Sequence, residues 1–310
     1  MHFSPHTARA LSVLPMAEPT PQPLIISLRV GEDEAALVLS TDPAADESGV
    51  AWLLSDIDGW HATPPTEAVV TPLGLSDRSV AAARFPKSPR EITVHGYALT
   101  GSFDTAEDAR NRLYRAFDGY ARELPIVVEE STPKRISART AGAIETAPLG
   151  PTHFTFAVPL ILPDPLKYGL NLRRKATDAQ APGELGTTFP LEFPLTFTDS
   201  GRGTGRMTLT NSGTAPTYPV SVLNGPLSEG WRIVNEATGD FLSFSTGLGH
   251  GQRLRIDHAA RTADINGAPI AALANGSWWP LQPGRNPVRF LAPAYHPEAA
   301  WTASFYDAYL

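Results

Sequence analysis

Residues 155–168 read Thr155-Phe156-Ala157-Val158-Pro159-Leu160-Ile161-Leu162-Pro163-Asp164-Pro165-Leu166-Lys167-Tyr168. Phe156, Val158, Leu160 and Leu162 recur at every second position, the period of a β-strand. Pro163-Asp164-Pro165 stops that strand with turn chemistry, and a polar stretch bearing Pro and Gly follows. The chain is thereby cut into two β-rich halves.

On the N-terminal side the strand run begins at Phe154, and Arg135–Arg139 and Leu124–Val128 are strand candidates before it. A helix is predicted over residues 105–122. Ala106, Ala109, Leu113, Ala116, Phe117 and Tyr120 recur there at three- and four-residue spacing. Thr105 with Asp108 resembles a capping box, and Glu107 and Asp108 suit the positive end of the dipole. Arg110, Arg112, Arg115 and Arg122 fall mostly on the opposite face. An Ala-rich stripe predicts close packing on a sheet.

Earlier still, Ile92, Val94 and Ala98 share one strand face and Thr93, His95 and Tyr97 the other. Ala51–Ile57 runs into the turn signal Asp58-Gly59, and Glu34–Leu39 is a further strand candidate. Leu24, Ile26, Leu28 and Val30 alternate with Ile25, Ser27 and Arg29. Residues 1–22, with Pro15, Pro19 and Pro21, read as an extended arm. Residues 23–168 then read as an antiparallel β domain with one packed helix.

Residues 169–190 (Gly169, Pro182-Gly183, Gly186, Pro190) read as a linker, and residues 191–310 show no helical period. Short strand candidates are Met207–Asn211, Tyr218–Leu223, Trp231–Val234, Phe241–Phe244, Arg253–Asp257, Ala263–Ile265, Val288–Leu291 and Trp301–Tyr306. Turn residues separate them, as in a β-sandwich. Asn266-Gly267 is the strongest hairpin signal, because a type I′ turn needs positive φ at both central residues.

Composition narrows the function classes. The chain has 310 residues, enough for two domains, and 42% hydrophobic with 18% charged residues suits a globular protein. Its 30 prolines and 25 glycines scatter between apolar runs, which reads as turns. A net charge of −7 argues against nucleic-acid binding as the main role. With no cysteine, disulfides, thiolate catalysis and Cys-based zinc sites are excluded. No apolar run approaches the roughly 18 residues of a membrane span, and the N-terminus lacks a signal-peptide pattern. Synthesis in a cytoplasm is expected.

Several stretches carry a family resemblance. Pro163-Asp164-Pro165-Leu166-Lys167-Tyr168 is similar to the strand-then-"DP-x-K-Y" end of the N-terminal domain in distal tail proteins of long-tailed bacteriophages, also called siphovirus-type tail components or minor tail proteins. Asp58-Gly59-Trp60 precedes an extended stretch, and Arg90-Glu91-Ile92-Thr93-Val94-His95-Gly96 resembles the family's "R-x-I-x-(I/V)-x-G" strand, with the single helix after it. Asn211-Ser212-Gly213-Thr214-Ala215-Pro216-Thr217-Tyr218-Pro219 is similar to "N-x-G-x-A-P-x-x-P". Trp279-Pro280-Leu281-Gln282-Pro283-Gly284-Arg285-Asn286 is similar to "W-x-x-L-x-P-G-x-N". The similarity runs from about residue 25 to the end of the sequence. Asp164, Pro165, Tyr168, Asn211, Gly213, Trp279, Gly284 and Asn286 are its structural pattern positions.

The resemblance implies a ring-forming, β-sandwich-like first domain and a galectin-like or carbohydrate-binding-module-like sandwich outside the ring. The implied role is a non-enzymatic virion hub without cofactor or membrane anchor, made in the host bacterial cytoplasm. A homo-oligomeric ring, commonly hexameric, would join the tail tube to tail-tip, baseplate and receptor-binding proteins at the phage tail tip. It would leave a channel for DNA, with the tape-measure protein as a further partner.

Two rival readings rest on chemistry. Asp56 and Asp58 lie two apart beside Trp52 and Trp60, so paired carboxylates could serve a glycosidase or a metal; the alternative is solvated aspartates at a strand end. Trp278 and Trp279, with Trp231, Tyr295 and Trp301, could stack on sugar rings of host glycans, as in a carbohydrate-binding module or adhesin. Adjacent strand residues point to opposite faces, however, which puts one of Trp278 and Trp279 in the core. Ser131-Thr132-Pro133-Lys134 matches S-x-x-K but lacks the helix and partner motifs. The eight histidines show no metal-binding spacing. Asn275-Gly276-Ser277 matches a glycosylation acceptor and reads as a turn.

Overall fold

The computed structural model describes residues 25–31, 36–72, 79–81, 85–119, 122–179, 204–294 and 296–310. The expected arm over residues 1–22 lies outside the described residues, as do Tyr120, Tyr295 and residues 180–190 of the expected linker. The first half carries strands β1 Ile25–Val30, β2 Leu37–Ser40, β3 Ala51–Asp58, β4 Val70–Pro72, β5 Ser79–Ala81 and β6 Arg90–Leu99. Helix α1 Phe103–Ala116 follows, then β7 Leu124–Glu130, β8 Lys134–Thr140, β9 Glu145–Pro148, β10 His153–Leu162 and β11 Lys167–Gly169.

Seven of these strands close on themselves in the order β8-β7-β1-β2-β3-β6-β10, because β10 also pairs with β8 through Leu160↔Thr140 and Ile161↔Arg139. The result is a barrel around one apolar core built from Leu28, Trp52, Val94, Phe154, Val158 and their neighbours. All its pairings are antiparallel except β2 with β3, which meet in parallel at Ser40↔Leu53. Strand β10, the one quoted above, is central. It pairs with β6 over its whole length, and its other edge is shared by β9 and then β8. Pro159 sits where β8 and β9 leave a gap. Its carbonyl accepts from Ala141 N–H, so the side on which Pro has no donor faces the break rather than a ladder.

Three local expectations need correction. Ile26 is 53% exposed and Ile25 is buried, because a bulge between Ile25 and Ser27 flips the alternation. Helix α1 starts earlier than expected. Its N-cap is Ser102, whose Oγ accepts from Thr105 N–H at 3.1 Å, so Thr105 lies inside the helix. It ends at the Phe117 C-cap rather than at residue 122, since the Thr140 hydroxyl donates to the Phe117 carbonyl and the following backbone turns onto β8. The buried stripe is Ala106, Ala109 and Leu113, as the spacing predicts.

The second half contains β12 Arg173–Asp178, β13 Arg206–Asn211, β14 Val220–Asn224, β15 Arg232–Asn235, β16 Phe241–Phe244, β17 Arg253–Asp257, β18 Thr262–Ile265, β19 Ala268–Pro269, β20 Ala274–Gly276, β21 Gly284–Leu291, β22 Ala300–Phe305 and β23 Ala308–Tyr309. One sheet runs β12-β22-β14-β17-β18-β19 and another β13-β21-β15-β16-β20. Both contribute to one core centred on Trp231, Phe244, Trp279, Phe290 and Trp301. This is a sandwich. The hairpin β18–β19 turns at Asn266 and Gly267 with φ of 49° and 88°, as expected for type I′.

Three segments form strands that local pattern did not announce. Residues 173–178 of the expected linker form β12, paired with β22. Strand β23 leaves the sandwich and pairs with β11 on the barrel sheet. Asn275 and Gly276, read as a turn, belong to β20 against β16.

Candidate functional site

The family-pattern segments converge at the junction of barrel and sandwich. Arg90 opens β6 and is only 2% exposed. Its Nε donates to the Pro165 carbonyl at 3.1 Å. Its Nη1 donates to the carbonyls of Gly59 and Trp60, each at 3.3 Å, and of Ala62. One guanidinium thus ties the turn after β10 to the loop after β3. Gly59 is required in that loop. Its φ is +79°, and a Cβ there would stand 2.5 Å from the Glu91 carbonyl oxygen.

Lys167 enters the same cluster from β11 and is 5% exposed. Its Nζ donates to the Trp60 carbonyl at 2.8 Å and lies 4.6 Å from the Trp60 ring centroid, a cation–π contact. Burial, then the neighbouring Arg90 charge, pull its pKa down to about 8, although Glu130 opposes this. Glu130 also accepts from Trp60 Nε1 at 3.5 Å and pairs with Lys134. Asp164 shapes the turn, with Oδ1 accepting from Leu166 N–H at 3.1 Å and Oδ2 from the Tyr168 hydroxyl at 2.6 Å. Burial and the Asp164 carboxylate push the Tyr168 phenol above its usual range.

The sandwich meets this cluster through β23 and the Asn211 loop. Lys167 pairs with Tyr309 and Tyr168 with Ala308 across the ladder. Buried Asp307 accepts from Arg173 at 2.8 Å and from Ser212 N–H at 2.9 Å. The Arg135 guanidinium lies 3.6 Å from the Tyr306 ring centroid, and the Lys134 ammonium 5.0 Å from that of Tyr309. Asn211 Oδ1 accepts from Gly213 N–H at 3.0 Å, and its Nδ2 donates to the Ala215 carbonyl at 2.8 Å. Gly213 packs so closely that a Cβ would lie 1.9 Å from the Ala308 oxygen. Asn286 works similarly inside the sandwich. It accepts from Gln282 N–H and donates to the carbonyls of Gln282 and Gly284, all between 2.8 and 3.1 Å.

The remaining candidates are dispersed or buried. Trp279 is buried against His258, 4.8 Å between ring centroids, so it offers no sugar-stacking face. Trp231 and Trp301 are buried too, and half-buried Trp278 wedges edge-on between Phe244 and His258. Burial drives the His258 pKa down to about 4. Asp56 and Asp58 share the outer barrel face, but Asp56 accepts from Ile57 N–H and Asp58 sits 3.2 Å from His95. Lys134 of the S-x-x-K match opens a strand rather than a helix. Among the described residues no group of three His, Asp or Glu side chains could hold a metal ion. Sequence reading quoted Trp60, Arg90 and Lys167 only inside motifs and missed Arg173 and Asp307. Arg90 follows Pro89 and Lys167 follows Pro165-Leu166, whereas no motif marks Arg173 or Asp307.

Residues 212–305 match the family model of the siphovirus-type tail component, C-terminal domain. The resemblance to phage distal tail proteins therefore holds. Over most of the chain the fold is similar to that of the Dit protein (gp 19.1) of phage SPP1, at 17% identity and a TM-score of 0.59. The match covers 91% of this chain and 99% of that one. That protein is described as a paradigm of the hub adsorption apparatus in phages infecting Gram-positive hosts. A chain of the phage p2 baseplate in its activated conformation with strontium aligns at 8% identity and a TM-score of 0.45, covering 90% and 97%. No curated protein matches the sequence. The family model is thus of a tail component, and the SPP1 neighbour is a hub protein.

Proposed function

We propose that this protein is a distal tail hub of a tailed phage or phage-like particle. Copies associate through the barrel into a ring at the tail tip. The ring connects the tail tube to tail-tip and receptor-binding proteins and leaves a passage for DNA. The sandwich sits outside the ring and presents attachment surface.

The observation that carries this reading is the match to the SPP1 hub protein over nearly the full length of both chains, with the tail-component domain at residues 212–305. The junction supports it physically. A hub transmits position between two sets of partners, and Arg90, Lys167, Asp307 and the β11–β23 ladder join barrel to sandwich by directional contacts. Such contacts fix one arrangement rather than a loose tether. Light scattering with negative-stain imaging of purified protein tests the reading. Closed rings with a central hole are expected. A monomer at all concentrations that also fails to appear on assembled tails would refute it.

A further inference from the structure

A rotationally symmetric ring joins copies through heterologous contacts, so each copy must present two different surfaces that fit each other. The barrel carries such a pair. Beside β1 and β7, the far end of α1 forms a cleft lined by Arg112, Arg115 and Arg122 with apolar Val30, Leu37 and Leu124. Arg112 is held by Asp46, Arg115 donates to the Asn111 carbonyl at 3.3 Å, and Arg122 has no partner among the described residues. A second cleft crosses β3, β6, β10 and β9 and contains Asp56, Asp58 and Glu145 beside His95 and Tyr97. Asp58 meets His95, whereas Asp56 takes only a backbone N–H and Glu145 has no partner among the described residues.

The closed strand order puts these clefts on opposite sides, because β1 and β6 are separated by two strands one way and three the other. We infer, resting on the hub reading, that the Arg115/Arg122 face of one copy seats in the Asp56/Glu145 cleft of the next. Charge complementarity within one chain favours a second copy as occupant. Nucleic acid is disfavoured, since three arginines on a chain of net charge −7 cannot replace the counterions of many phosphates. Exposed ion pairs stabilise little one by one. Their contribution here is register and encounter rate.

The test uses full chains with both clefts altered in turn. Arg115→Glu with Arg122→Glu leaves two acidic clefts, and Asp56→Lys with Glu145→Lys leaves two basic ones. Each variant alone should self-associate at least ~100-fold more weakly by light scattering, since like charges then face each other. An equimolar mixture should regain assembly by alternation. Should either charge reversal unfold the chain by near-UV circular dichroism, Arg115→Gln with Arg122→Gln should still weaken association about tenfold and flatten its salt dependence. Variants that assemble like the parent protein, or mixtures that do not recover, would overturn the inference and leave the hub reading intact. A parent protein that never self-associates would overturn it as well, while tail-tip location would still decide the hub reading.

Discussion

The barrel and the sandwich bury polar groups of different kinds. The barrel buries cations, Arg90 and Lys167, at the pole that faces the sandwich. Apart from Thr100 of the barrel, the buried neutral polar groups are in the sandwich: Asn211, Asn235, Asn286, Ser221, Thr217 and His258, and the one buried carboxylate among the described residues, Asp307, lies like the two cations at the junction. In both, backbone carbonyls are the main acceptors. Burying a neutral amide with its hydrogen bonds satisfied costs little, so amides can shape loops throughout a core. A buried cation costs much more and tolerates few geometries. Cations are therefore found where two bodies must meet in one way only.

That contrast can be broken most sharply at Gly213. Gly213→Val places a Cβ against the Ala308 backbone and should cost upwards of about 3 kcal/mol. Because Ala308 pairs with β11, calorimetry should show two separate transitions in the variant, where one coupled transition is expected for the parent chain. Arg90→Leu comes next. Stranding the carbonyls of Gly59, Ala62 and Pro165 should cost about 3 kcal/mol in chemical denaturation, while the Trp60 carbonyl keeps the Lys167 ammonium. Arg90→Lys should recover less than half, since a point charge cannot replace a fork of donors.

The two halves should also respond to pH in opposite ranges. His258 stays neutral in the folded state down to about pH 4, while the unfolded chain takes up its proton near 6.5. Stability of the sandwich should therefore fall as pH drops from 6.5 toward 4, by up to about 3 kcal/mol. His258→Gln should flatten that slope. Lys167 has a folded pKa of about 8 against its usual 10.5. The unfolded chain binds the extra proton between these values, so the barrel should gain stability as pH rises through that window. Denaturant midpoints followed across both ranges would check the two signs. The smallest effect is expected at Asp307→Asn, about 1 kcal/mol, because Arg173 is half exposed and the Ser212 N–H keeps an acceptor.

Much of the fold was legible because periodicity reports burial directly. The β6 and β10 faces, the α1 stripe, most sandwich strands and the Asn266-Gly267 hairpin follow from spacing alone. Errors arose where non-local contacts override the local pattern. No periodic signal announces the bulge that exposes Ile26, since its cause is the pairing of β1 with β7. Polar Arg173–Asp178 gains its strand from β22, and two-residue β23 from β11. The pattern residues Asp164, Tyr168, Asn211 and Gly213 were visible as a family likeness. Their meeting with Arg90 and Lys167 required the barrel to close. Trp279 fills the core, as the alternation of adjacent strand residues required of one of Trp278 and Trp279.

The most direct test of the hub account is location. Particles carrying this protein would be labelled with a gold-conjugated antibody against the sandwich and imaged in negative stain. Gold confined to the distal end of the tail, in several copies around its axis, is the predicted result. Gold on the head, gold along the whole tube, or none on intact particles would contradict it.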